Sequence, residues 1–351
     1  MIERHEERTC EYHGGGVCVF NRESLILEQY PFEVRQVSKG RGSLLCDTDQ
    51  GLKILKEYKG TEGRAEFLHC LLEFLKERGD GQVDCVVRTK EGAAIAKDTD
   101  GTAYMVRDWY EGRECDARNR EDIRRAIGQL AGIHNILRAF PYEIPSYLQV
   151  RGDTLLLENE RHARELKKIR NYVSSRKKKN GFEMGFLKSF AMFYGEAQRI
   201  IELQRQELAD AGQERGEQGI YGICHGDYNQ HNVLFSRPGI AALNFEKASY
   251  DVQVGDLGNF MRKILEKHNW DVGLGTEMLQ AYRDVRPLSG QEEKQLYIRL
   301  AFPEKFWKIA NHYYNANKAW VCGRNLEKLE KFICQNEDRE KFLRLMGQDV
   351  V

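Results

Sequence analysis

Residues 223–251 read ICHGDYNQHNVLFSRPGIAALNFEKASYD, and this stretch decides the fold. Val233-Leu234-Phe235 and Ile240-Ala241-Ala242-Leu243 are short apolar runs separated by Arg237-Pro238-Gly239, the pattern of two strands joined by a turn. Ahead of them lies a polar loop, His225-Gly226-Asp227, with Asn232 five positions after the Asp. A polar loop hung on strands inside an otherwise helical region is where chemistry concentrates. These residue types suit phosphoryl transfer. A loop Asp can accept the proton of an attacking hydroxyl, and an amide oxygen a turn later can reach a magnesium ion that bridges nucleotide phosphates. An acidic group beyond the next turn normally holds that ion from the other side.

Outward from this block the text changes character twice. The first 29 residues carry Gly14, Gly15 and Gly16 and no clear period, the mark of a loose arm. From Glu33 to about Tyr58, short alternating apolar runs broken at Lys39-Gly40 and Asp49-Gln50-Gly51 predict an antiparallel meander. Leu68, Leu71, Leu72 and Leu75 recur at helical spacing, predicting a helix over 62–78 that stops at Gly79. Two more strands are expected around VDCVVRT and GTAYMVRDWY. After Trp109, helical patterns cover 118–138, 157–175, 182–209, 256–268 and most of the chain from 290 onward. The resulting division is an arm over 1–29, a small lobe over 30–107 and a helical lobe over 108–351 that carries the hairpin 223–251.

Composition narrows the function classes. The 351 residues hold 54 Lys+Arg against 54 Asp+Glu, so no global field draws the chain to nucleic acid or an anionic membrane. Charges interrupt even FLHCLLEFLKERG, so no membrane span is expected, and the charged start MIERHEERTC lacks a secretory core. Nine Cys without a CxxC read as reduced, mostly buried side chains. His134 in QLAGIHNIL reads as a core histidine, the basic run 161–180 as a solvated helix face, and the aromatic run 302–320 as core packing.

HGDYNQHNVLF resembles the catalytic loop of the aminoglycoside phosphotransferase and choline kinase group. With Tyr228 after the His-Gly-Asp, FEKASYD and DLGNFMRKI, the chain is most similar to the CotS family of spore coat proteins of endospore-forming bacteria, over about residues 30–335. The resemblance implies a bilobal, protein kinase-like α+β fold: a small antiparallel β-lobe with one helix, then a larger, mainly α-helical lobe. It implies ATP and Mg2+ bound between the lobes, a hydroxyl-bearing acceptor, Asp227 as catalytic base and His225 orienting its loop. It further implies that a Lys of the strand LKILK meets the α- and β-phosphates. Lys56 is favoured because it shares a face with Ile54, and Lys53 is the alternative. Glu66 would pair with that Lys, backbone groups from Val106 to Trp109 would meet adenine, and Asn232, Asn244 and Glu246 would face the metal. Synthesis in the mother-cell cytoplasm, incorporation into the spore coat and contact with other coat proteins follow from the same likeness.

Two departures stand out. In the family pattern the strand after the loop ends in Ile-Asp-Phe, whereas here it reads Leu243-Asn244-Phe245, and a neutral amide holds a hard cation less well than a carboxylate. Glu246, two residues on, would share Asn244's face in an extended segment and could restore the charge. VSKGRGSLL offers a two-glycine turn in place of a full phosphate-covering loop. Two functions therefore stay open: a weakened phosphotransferase, and a non-catalytic structural or adaptor coat protein. An antibiotic-modifying kinase is a third, with Glu158 and Glu160 as a local acidic patch.

Overall fold

The structure is a computed structural model describing residues 10–11, 21–40, 42–79, 81–211, 219–237, 239–315 and 322–347; Gly14 to Gly16, Pro238 and residues 316–320 of the aromatic run lie outside these. In chain order come β1 (Cys10–Glu11), α1 (Asn21–Leu27), β2 (Val34–Gly40), β3 (Ser43–Thr48), β4 (Gly51–Glu57) and α2 (Glu62–Arg78). Then follow β5 (Gln82–Val83), β6 (Ala96–Lys97), β7 (Ala103–Asp108), β8 (Arg113–Glu114), α3 (Arg120–Leu137), α4 (Thr154–Ser175), α5 (Gly181–Ala211) and β9 (Tyr221–Cys224). The rest are β10 (Val233–Phe235), β11 (Ile240–Ala242), β12 (Ser249–Val252), α6 (Val254–Leu265), α7 (Val272–Arg283), α8 (Gly290–Ala301), α9 (Glu304–Asn315), α10 (Cys322–Cys334) and α11 (Asn336–Gly347).

Contacts divide the chain into two compact units. The first takes residues 1–115, 139–141 and 230–247, and the second takes 116–138, 142–229 and 248–351. This differs from the boundary read at 107/108: the strands of the hairpin join the first unit, because β10 pairs antiparallel with β8 and β11 pairs parallel with β5. The arm also ends earlier than residue 29. Residues 21–27 are helical, and Ile26, Leu27 and Tyr30 are buried with Leu44, Cys46, Leu55 and Val106.

In the first unit the antiparallel sheet runs β1-β2-β3-β4-β7-β6. Helix α2 starts where the Thr61 side chain accepts from the Arg64 N–H, and its run ends at Gly79. Its apolar side chains from Ala65 to Leu75 are buried. The expected strand VDCVVRT is mostly irregular. It contributes only β5 and a bridge from Val86 to Arg107.

Among the described residues, the second unit's regular structure is helical apart from β9 and β12. One of its core clusters joins Leu166, Ile169 and Val173 of α4, Phe182, Phe186 and Phe193 of α5, Phe306 and Ile309 of α9, and Phe332 of α10. Of the described part of the aromatic run, Phe302 and Phe306 are buried, Trp307 and Tyr313 are half-buried and Tyr314 is exposed, and the basic residues of α4 line that helix's exposed side. Helix α7 has no counterpart in the sequence reading: Gly273 and Gly275 dilute its first turn, and glycine is a poor helix former. Among the described residues no helix is long and apolar enough to cross a membrane.

Candidate functional site

In the first unit, β4 and β7 carry the nucleotide-facing candidates. Ile54 lies opposite Arg107 and Lys56 opposite Met105, so these four share one sheet face, while Lys53 and Leu55 point to the other. That parity separates the two lysines. Lys53 is buried and committed, with Nζ donating to the Gln50 carbonyl at 2.7 Å and to Asp108 Oδ1 at 2.8 Å. Lys56 is half-buried and makes no ion pair among the described residues. Burial, and next the charge of Arg107, pull its pKa below the ordinary lysine value, against Glu246 and Asp84.

Glu66 is not the partner of Lys56. Its carboxylate accepts from Arg88 at 2.8 and 3.2 Å and from the Ala94 N–H at 3.1 Å. Burial pushes this carboxyl up, but the Arg88 and Ala94 donors prevail and hold it below the usual range. The Val106 carbonyl and the Asp108 and Trp109 N–H groups are also committed. Val106 accepts from the Val87 N–H at 2.9 Å, Asp108 donates to Cys85 at 2.9 Å, and Trp109 donates to Leu52 at 2.9 Å. β7 is flanked by β4 on one side and by residues 85–87 on the other, so the donors at Asp108 and Trp109 are not available to a base.

The three metal-facing candidates do come together. Asn232 ends a short 3-10 turn just before β10, and Asn244 follows β11 with φ of 65°, a left-handed conformation that Asn tolerates better than most residues. Asn244 Nδ2 donates to Asn232 Oδ1 at 2.7 Å, and its backbone N–H donates to Asp84 Oδ2 at 2.9 Å. Arg107, whose side chain is 3% exposed, closes the group. One terminal nitrogen meets Asp84 at 2.8 Å, and the other meets Glu246 Oε1 at 2.8 Å and Asn244 Oδ1 at 3.3 Å. Arg64 fixes the same turn by donating to the Glu246 carbonyl at 2.7 and 3.2 Å. Burial raises the Asp84 carboxyl above its ordinary value, opposed by the Arg107 charge and the Asn244 N–H.

This donor set does not fit a divalent ion. Two ligands are neutral amides, the Glu246 carboxylate and Asn244 carbonyl already accept from a guanidinium, and among the described residues no group of three or more His, Cys, Asp or Glu could hold a metal.

The second unit holds the His-Gly-Asp loop. Gly226 sits at φ of 78°, where a side chain would be strained. The buried Asp256 carboxylate accepts from the His225 N–H at 2.6 Å, from the Gly226 N–H at 3.0 Å and from His134 Nε2 at 3.3 Å. His134 is buried and meets the Tyr282 hydroxyl through Nδ1 at 2.7 Å. Burial would raise the Asp256 carboxyl, yet the His134 bond and the loop amides hold it low; burial lowers His134. His225 orients the loop, its Nδ1 accepting the Asp227 N–H at 3.2 Å, and Tyr228 ties it to α3 through the Ala126 carbonyl at 2.7 Å. The Asp227 side chain, 31% exposed, lies 3.6 Å from Lys263 and accepts from Asn229 at 3.1 Å.

Asp84, Arg107, Asp256 and Lys263 are absent from the sequence-derived site. Asp84 and Arg107 did leave a signal: Asp84 is a lone charge inside the apolar run VDCVV and Arg107 follows the apolar YMV, and opposite charges buried that way usually pair.

A solved aminoglycoside phosphotransferase from Alicyclobacillus acidocaldarius matches this structure with a TM-score of 0.78 at 19% identity, covering 95% of this chain and 97% of that one. An amicoumacin kinase solved with AMP-PNP and Ca2+ matches with a TM-score of 0.57 at 14% identity, over 92% and 94% of the two chains. At such identities the likeness carries the fold alone, and that fold is the kinase-like one of small-molecule phosphotransferases. Within it, the chain belongs to the family described as spore coat putative kinase YutH, whose model matches residues 23–346. It is 24% identical over 332 residues to spore coat protein S of Bacillus subtilis, covering 91% of this chain and 92% of that protein.

Proposed function

We propose that this chain is a kinase-like component of the spore coat that binds a nucleoside triphosphate or diphosphate on its first unit and has little phosphotransfer activity. The observation that carries nucleotide binding is Lys56: a half-buried cation on the Arg107 face of β4, unpaired among the described residues, which suits an anionic ligand. The coat assignment is supported by the family and by the similarity to spore coat protein S. The amicoumacin kinase, solved with AMP-PNP, supports a nucleotide as ligand class. Asp227 retains the exposure and loop support of a base for an acceptor hydroxyl on a small molecule or coat component. The Asn244 amide bound to Arg107 favours the second reading, an adaptor with no turnover.

Thermal unfolding with millimolar ATP, ADP or GTP tests the binding. A ligand at a hundred times its dissociation constant stabilises by about 2.7 kcal/mol, and Lys56→Met should remove most of the resulting shift. No shift with any nucleotide, with or without divalent ions, refutes this reading.

A further inference from the structure

The oxygens that the sequence offers to a divalent ion are organised around a cation that the chain supplies itself. The Arg107 guanidinium divides its two ends between Asp84 on one side and Glu246 with Asn244 on the other, and Asn232 accepts from Asn244. Cations already outnumber the anions: Asp84 and Glu246 contribute two negative charges, and Arg107, Lys56 within their electrostatic reach and Arg64 at the Glu246 carbonyl contribute three positive ones. An incoming ion would have to expel the guanidinium. β7 is paired on both sides at Arg107 and the side chain is almost wholly buried, so the guanidinium cannot readily withdraw to water; leaving it unpaired in place is costly. A second observation marks what Arg107 suppresses. Asp84 is fully buried, and among the described residues its Oδ1 has no hydrogen-bond partner, a latent anionic ligand in the same cluster.

We propose that Arg107 is a built-in substitute for the divalent ion: it closes this site to Mg2+ and Mn2+, so that whatever phosphate ligand the first unit takes is taken without metal. Its significance rests on the nucleotide reading above, but its test uses Mn2+ alone. In the full-length wild-type chain, Mn2+ titration followed by electron paramagnetic resonance of the free ion should show no saturable site below millimolar concentration. Arg107→Met leaves two carboxylates and two amides without that guanidinium. It should bind Mn2+ at least tenfold more tightly than wild type, with a melting temperature that rises with Mn2+, and adding Glu246→Gln should abolish the gain. Wild-type binding that Glu246→Gln removes overturns the proposal, and so does a folded Arg107→Met that gains no site.

If Arg107→Met does not fold, Asn244→Asp in the presence of Arg107 decides. The added carboxylate should be taken up by the guanidinium and leave Mn2+ unbound, and saturable Mn2+ binding by that variant overturns the proposal. Nucleotide binding is read separately, as the melting shift with ATP in EDTA. Its loss refutes the nucleotide reading while the Mn2+ result stands, and the converse pairing refutes only the metal-exclusion proposal.

Discussion

Replacing Asp256 by Asn is nearly isosteric, yet it should cost the second unit about 2–4 kcal/mol. The carboxylate accepts from the His225 N–H at 2.6 Å, the Gly226 N–H at 3.0 Å and His134 Nε2 at 3.3 Å, all in a buried setting. An amide has one acceptor oxygen, so it can serve one of the two loop N–H groups, and its own NH2 then faces the other. A buried N–H left without an acceptor costs about 1–3 kcal/mol, and exchanging a charged acceptor for a neutral one costs roughly another 1 kcal/mol. The effect should concentrate on the loop carrying Asp227. Urea unfolding followed by far-ultraviolet circular dichroism reads the stability, and amide hydrogen exchange at His225 and Gly226 reads the loop. Because the folded Asp256 carboxyl is held below its ordinary value, its contribution is present above the unfolded value near 4 and fades as pH falls through the folded one. The variant should lack that acid-side loss. An unfolding midpoint unchanged within about 0.5 kcal/mol, with both amides still protected, would refute the view that Asp256 holds the loop in place.

Two further outcomes follow from packing and titration. Phe306 is fully buried, with ring centroids 4.7 Å from Phe193 and 5.2 Å from Phe186, so Phe306→Ala should destabilise the second unit by about 3–5 kcal/mol in urea unfolding. His162, stacked on Trp307 at 3.4 Å, has its pKa pulled to about 4, mainly by burial and then by the charge of Arg161. The unfolded histidine protonates near 6.5, so stability should fall as pH drops from about 6.5 to about 4, by at most about 3 kcal/mol, and level off below that. Urea midpoints at pH 7 and pH 4.5 should converge in His162→Phe by at least about 1 kcal/mol relative to wild type, and equal losses in both proteins would refute the assignment.

Much of this architecture is legible in local text because local rules govern it. The strands 233–235 and 240–242, the helix 62–78 with its Gly79 stop, and the face shared by Ile54 and Lys56 all follow from periods of 2 and 3.6 and from turn residues. What local text could not supply is pairing between distant segments. The resemblance points Glu66 at Lys56, but α2 is apolar around much of its circumference, and the competing partner, Arg88, comes from an irregular stretch beyond the helix. Arg107 and Asp84 meet only because residues 85–87 lie along β7. The hairpin joins the first unit through two-residue ladders with β5 and β8, too short to leave a pattern in the sequence.

Those short ladders also bear on how the chain is made. The first unit needs residues 230–247 as well as residues up to 115, so more than a hundred residues belonging mainly to the second unit are synthesised before it can be completed. At about 5–20 residues per second, an emerging β5 and β8 wait on the order of ten seconds with bare edges before β10 and β11 arrive. Native assembly of the four-stranded sheet β5-β11-β10-β8 is thus a late event in translation, and a nascent chain stalled before residue 247 would expose strand edges that the finished protein covers.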